Sequence, residues 1–250
     1  MIKKVIHYVW VGKNPLSDLA KACIESWKKF MPCCEIIQWD ETNFDVNANQ
    51  YCKETYETEK WAFCSDYIRL YVLYKHGGIY MDTDLELIKP IEQYLNHKAF
   101  LSFENANYFQ SGLIATESEN LWIKHLLDFY NNKKFIKANG KMDLTPNTTT
   151  ITVLSKEMYP ELRLDNTEQH LDNFSIYPKE IFCANEFAGK VKIMPETCSI
   201  HHYAGSWVPK TFSFKFKQFV KNFIGTRNVQ IIRAKKAAKQ VAAGEIGLKY

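Results

Sequence analysis

Short β-branched runs alternate with stretches of helical spacing over most of the chain, a pattern that predicts strands and helices in turn. Val5-Ile6-His7-Tyr8-Val9-Trp10 has the β-branched and aromatic content of a buried strand and stops at Gly12. Ser17 stands where a helix N-cap is expected, ahead of Leu19, Cys23, Trp27 and Phe30 at helical spacing, and Pro32 closes the segment. Glu35-Ile36-Ile37-Gln38-Trp39 predicts a second strand. Strand, helix and strand in this order form a βαβ unit with parallel strands, so the chain opens as an α/β protein.

A polar stretch from Glu41 to Gln50 then precedes a predicted helix over Glu57 to Lys75, with Ala62, Asp66, Arg69 and Leu73 on or near one face. His76-Gly77-Gly78 ends it, with glycine where a left-handed C-cap is wanted. Ile79-Tyr80-Met81 is a short apolar run that delivers Asp82 at the carboxyl end of a strand, the edge beyond which open α/β sheets bind ligands. Further strands are predicted at Ala99 to Phe103, Gly112 to Ala115, Phe174 to Tyr177 and Cys198 to Tyr203, with an amphipathic helix over Asn120 to Tyr130. After Pro209 the pattern changes to Phe212, Phe214, Phe216, Phe219 and Phe223 interleaved with lysines. Residues 1–209 therefore read as the main domain and 210–250 as a basic amphipathic tail.

Charge sharpens that division. The net charge is +4, yet residues 210–250 hold ten Lys or Arg against Glu245 alone, so the body is mildly acidic. Such a tail suits an anionic membrane interface, or a helix packed on the body or on another subunit; nucleic acid is the poorer partner for an acidic body. No stretch reaches the roughly 20 apolar residues of a membrane span, and the first twelve residues lack the sections of a secretory signal. Seven cysteines without a CxxC pair argue against a disulfide framework or zinc ribbon and favour reduced thiols in a cytoplasm.

Asp82 and Asp84 flank one residue just past the predicted strand, where two hard oxygen ligands suit Mg²⁺ or Mn²⁺. In isolation such a pair is more often a solvated turn. Asp66 and Arg69, one helical turn apart, are candidates for the same polar constellation, or else form an ordinary surface ion pair. His201-His202-Tyr203-Ala204-Gly205-Ser206-Trp207 adds two imidazoles on a strand, of which at most one should face the site, because alternate side chains point to opposite faces. Trp10 and Trp207 default to core packing, although a flat indole also suits a nucleotide base.

Three blocks combine into a specific pattern: Ile6-His7-Tyr8-Val9-Trp10-Val11-Gly12, then Ser65-Asp66-Tyr67-Ile68-Arg69, then Gly77-Gly78-Ile79-Tyr80-Met81-Asp82-Thr83-Asp84. With His202-Tyr203-Ala204-Gly205-Ser206-Trp207 they resemble the DXD-containing glycosyltransferases of family 32, among them bacterial capsule and polysaccharide enzymes, and more distantly the clostridial glucosylating toxins. The resemblance implies a GT-A type fold, a mixed sheet flanked by helices. It also implies a metal-dependent, retaining transfer of a sugar from a nucleotide-sugar donor, a UDP-sugar being favoured, to a saccharide or lipid-linked acceptor. In that scheme Asp66, Arg69 and Gln110 serve the transferring sugar; Trp10, Tyr80, Asp82, Ser206 and Trp207 bind the donor; and Asp82, Asp84 and His202 hold Mn²⁺ or Mg²⁺. Gln110-Ser111-Gly112 replaces the Asn-Ala-Gly turn of related enzymes, and Thr145-Pro146-Asn147 replaces a more usual Gly-Pro. A metal-dependent hydrolase with the same ligands, and a binding module without catalysis, are the competing readings.

Overall fold

The structure, a computed structural model, describes residues 1–184, 186–187, 190–191 and 193–204. The tail 210–250, the boundary at Pro209, Ser206 and Trp207 lie outside the described residues. The elements run in the order β1 (Val5–Val9), α1 (Asp18–Phe30), β2 (Glu35–Trp39), α2 (Gln50–Glu57), α3 (Trp61–His76), β3 (Gly78–Met81) and β4 (Leu85–Leu87). After a 3-10 turn at Glu92–Tyr94 come β5 (Ala99–Asn105), β6 (Tyr108–Phe109), β7 (Leu113–Thr116), α4 (Leu121–Asn131) and α5 (Asn147–Met158). The last are β8 (Gln169–His170), β9 (Ser175–Tyr177), α6 (Lys179–Phe182), β10 (Glu186–Phe187), β11 (Lys190–Val191) and β12 (Ser199–His201).

One sheet runs β2-β1-β3-β7-β5-β9-β8, with β6 on β5. The first three strands are parallel, β7 is antiparallel to β3, and β5 is antiparallel to β7, so the α/β expectation of a mixed sheet flanked by helices holds. Residues of alternating parity supply the two cores. Ile79 and Met81 of β3 join Ile6, Tyr8, Phe100, Leu113 and Trp27 on one face. Tyr80 joins Leu101, Ile114 and the buried residues of α3, α4 and α5 on the other. That parity turns Tyr80 toward α3.

Ser17 caps α1 as expected, its Oγ accepting from Ala20 N at 3.1 Å. The helix expected over Glu57 to Lys75 is α3, which begins at Trp61, and a separate helix, α2, precedes it. Thr58, Glu59 and Lys60 separate them, with Glu59 in the left-handed region at φ 56°. Asn49 caps α2, and the buried Glu54 accepts from Phe135 N and Ile136 N at 2.7 and 2.8 Å. Gly77 ends α3 with φ 66°, its N–H returning to Leu73 O at 2.9 Å.

His7 locks the junction that follows. Its Nε2 meets Gly77 O at 2.9 Å and its Nδ1 accepts from Trp39 Nε1 at 3.0 Å, so Nε2 carries the proton. Burial, the largest influence, lowers this imidazole to about 4 and keeps it neutral. Gly78 has φ 105°, and a Cβ there would lie 2.7 Å from Val5 O and 3.0 Å from His7 Nε2. Gly78→Ala is therefore expected to lower stability by about 2 kcal/mol or more, measured as a fall in urea midpoint; an unchanged midpoint would mean that β3 tolerates a shift away from β1.

Candidate active site and metal centre

α3 and β3 meet at a buried guanidinium. Arg69, 3 % exposed, lies 2.9 Å from Asp66 Oδ1 and 3.4 Å from Asp82 Oδ1 through Nη2. Its Nη1 donates to Ser111 O at 2.6 Å, its Nη2 and Nε reach Ser65 Oγ and O at 3.2 and 3.3 Å, and its plane stands 4.6 Å above the Tyr80 ring. Burial alone would ease loss of its proton, but Asp82, Tyr80 and Asp66 together hold it more firmly charged than usual. The Tyr80 hydroxyl donates to Asp82 Oδ1 at 2.9 Å, so that oxygen is taken by the frame.

Asp66 is 7 % exposed, and burial pushes its carboxyl up to about 7; Arg69 opposes that rise and Asp82 adds to it. Asn147, at the start of α5, favours the ionised carboxylate, and its Oδ1 accepts from the Tyr130 hydroxyl at 3.1 Å. Lys133 acts on the same carboxylate and is paired with Asp143 at 3.3 Å. Tyr130, Lys133 and Asn147 have no signature in one dimension beyond the helix start that Pro146 marks.

Asp84 leads into β4, and antiparallel pairing of β4 with β12 brings the C-terminal histidines alongside: Leu85 opposes His201, and Glu86 opposes Ile200. The structure brings His201, not His202, to the aspartates. His201 Nε2 lies 3.2 Å from Asp84 Oδ1, whereas His202 Nε2 meets Glu86 Oε2 at 2.9 Å on the other side of the strand. The imidazole beside the aspartates is thus not the expected His202, and the cause is the strand's two-residue period, which allows one of the two inside. His201 stacks on Tyr203 at 4.1 Å between ring centroids, and Cys183 Sγ lies 4.0 Å from its Nδ1. Burial works against a charge on His201, but Asp84 holds its affinity for the proton well above the ordinary value. Burial would raise Asp84, and the hydrogen bonds from His201 and from Ala204 N at 2.9 Å keep it below the usual carboxylate range.

One ligand atom each from Asp82, Asp84 and His201 lies within 4.8 Å of the other two. Gly112 makes this approach feasible, since a Cβ there would sit 2.9 Å from His201 Cε1 and 3.1 Å from Asp82 Oδ2. Two carboxylates and an imidazole around a space that one methyl would fill fit a divalent cation.

The other expected residues fall around this centre. Trp10 is half-buried at the end of β1 and donates to Asn14 O at 2.6 Å. Gln110 is buried; its Nε2 donates to Ser102 Oγ at 2.8 Å and Phe182 O at 3.1 Å, while Oε1 has no partner among the described residues. Those donors brace β5 against α6, so the part that its segment plays at the centre is carried by Ser111 O and Gly112.

Residues 17–101 match a family described as a glycosyltransferase sugar-binding region containing a DXD motif. This stretch, which holds Asp66, Arg69, Asp82 and Asp84, is similar to the DXD-containing glycosyltransferases. Among curated proteins, inositol phosphoceramide mannosyltransferase 1 of Schizosaccharomyces pombe is 26 % identical over 154 residues, covering 54 % of this chain and 46 % of that protein. Inositol phosphoceramide mannosyltransferase 3 of the same yeast is 27 % identical over 112 residues, covering 40 % of the chain and 29 % of that protein. The matches thus span less than half the length of either relative. Among solved structures, the PaToxG glycosyltransferase aligns with TM-score 0.48 at 20 % identity, over 64 % of this chain and 70 % of that one.

Two predictions follow from the DXD centre. Asp66 binds its proton more tightly when folded, about 7 against roughly 3.9 unfolded, so it costs stability increasingly as pH rises through that window. The melting temperature of Asp66→Asn relative to wild type should therefore move in the variant's favour between pH 5 and 8, and a constant difference would refute the raised carboxyl. Gly112→Ala should displace His201 and weaken Mn²⁺ binding by roughly tenfold or more, read by calorimetry on protein that still melts cooperatively.

Proposed function

We propose that this chain is a glycosyltransferase that moves a sugar from a nucleotide-sugar donor, with a UDP-sugar favoured, to an acceptor hydroxyl. The convergence of Asp82, Asp84 and His201 next to the Asp66–Arg69 pair carries this reading. It is supported by the DXD family match over residues 17–101. The relatives' names point to mannose as the sugar and to a phosphorylated lipid as the acceptor, a class that joins the saccharide acceptors of capsule synthesis as candidates.

In this reading the donor's anomeric C–O bond breaks, its electron pair leaves with the nucleoside diphosphate, and the acceptor oxygen bonds to the anomeric carbon as its proton passes to the departing diphosphate. Asp82, Asp84 and His201 would hold Mn²⁺ or Mg²⁺, which when bound supplies positive charge to the leaving diphosphate. Asp66 accepts hydrogen bonds from the sugar hydroxyls, held in place by Arg69, which with Asn147 favours the ionised carboxylate against the rise that burial imposes. Tyr80 and Arg69 orient Asp82 through Oδ1, leaving Oδ2 on the side of Gly112 and His201. Trp10 stands at the end of β1, where a donor base would stack. Retention of configuration, which the family resemblance implies, would proceed by attack from the face the diphosphate leaves, since among the described residues no side chain is placed as a covalent nucleophile.

The histidines separate this arrangement from its alternative. His201→Ala should abolish Mn²⁺-dependent release of sugar from a panel of UDP- and GDP-sugars, while His202→Ala should retain activity within a few-fold; the reverse result would return the ligand to His202. Added oligosaccharide or lipid-linked acceptor should accelerate turnover and yield a glycoside. Release that is indifferent to every acceptor would indicate a hydrolase instead.

A further inference from the structure

A hairpin between α4 and α5 is built inside out. Phe135 is buried, and the backbone N–H groups of Phe135 and Ile136 are held by Glu54. Asp143 N returns to Phe135 O at 2.7 Å, Ile136 bridges Met142, and Lys137 and Lys141 close the turn through a 2.9 Å backbone bond. At its base Lys133 and Asp143 form an ion pair 10 % and 16 % exposed, and Lys133 bears electrostatically on Asp66, so the hairpin is rooted at the sugar end of the proposed site. On the extended return segment alternate residues face opposite ways. The ionic Asp143 faces in, while Met142 and Leu144 face out at 40 % and 59 % exposure. Residues 133–144 carry four lysines against Asp143 alone, on an otherwise acidic body, and Lys134, Lys137 and Lys141 are exposed.

We propose that this hairpin docks the catalytic domain onto an anionic lipid surface. Lys134, Lys137 and Lys141 would meet the headgroups and Met142 and Leu144 would enter the interface. A water-facing return strand would be expected to bury its apolar side and expose its charged one; this one does the opposite, and the excess of cations selects an anionic partner over a neutral apolar one. Each lysine near an anionic leaflet favours binding and each is screened by salt. Docked in this way, Asp66 would be held close to the headgroup layer, which deepens the transferase reading by favouring a membrane-borne acceptor.

The experiment uses the full chain and vesicles of phosphatidylcholine with or without 30 mol % phosphatidylglycerol, about that fraction being enough to impose a strong surface potential. Sedimentation without any donor should show binding only to the anionic vesicles, weakened by salt. Lys137→Ala/Lys141→Ala and Met142→Ser/Leu144→Ser should each reduce the partition coefficient about tenfold or more, with donor-sugar release in lipid-free buffer unchanged. Equal binding of either variant and wild type, or equal binding to neutral vesicles, overturns the proposal. So does a concentration-dependent dimer that the same substitutions abolish, since a second copy would then be the partner of this surface. Because binding is read without donor, failure of the transferase reading would appear separately, as wild type that docks and releases no sugar.

Discussion

A guanidinium with 3 % of its surface exposed must be neutralised where it lies, because no water reaches it to spread the charge. Arg69 meets that requirement with two carboxylates, two oxygens of Ser65, the Ser111 carbonyl and the face of Tyr80. The partners come from α3, from the end of β3 and from the turn before β7, so the same charge that would otherwise destabilise the core pins three segments together. Removing any one of them strands part of the rest, which makes the site and the fold interdependent.

Two carboxylates around one guanidinium leave a negative excess, and the structure handles it unevenly. Asp82 is bound through Oδ1 by Tyr80, Asp66 has its carboxyl raised to about 7, and Asp84 is compensated by His201. Such an unbalanced cluster, with a glycine at position 112, has the oxygen-rich character that suits a divalent cation. The neutral His7 and the left-handed Gly77 and Gly78 set the position of β3, and through it the position of both aspartates.

The parts legible in sequence were those governed by local rules. Ser17 as a cap, Gly77 as a helix stop, the strand before Asp82 and the one-turn spacing of Asp66 and Arg69 all follow from backbone geometry within a few residues. Helix α2 was hidden by its polarity, since it is stabilised by Glu54 reaching residues 81 and 82 positions away. Helix α5 was hidden by Thr148, Thr149, Thr150 and Thr152, a β-branched run; there Thr152 returns its hydroxyl to Thr148 O and accepts from Phe109 N, so tertiary bonding overrides propensity.

The sequence by itself determined the α/β class, the spacing of the aspartate pair and the limit that one histidine of two could face it, because period and spacing are properties of a single segment. Which histidine, and which groups surround Asp66, was decided by tertiary structure. The pairing of β12 with β4 sets His201 opposite Leu85 and turns His202 outward to Glu86, a register between segments over a hundred residues apart. Likewise Tyr130, Lys133 and Asn147 gather at Asp66 because α4, its hairpin and α5 pack on the face of the sheet where α3 lies. Long-range register and packing depend on the whole core at once, and no local pattern of residues encodes them.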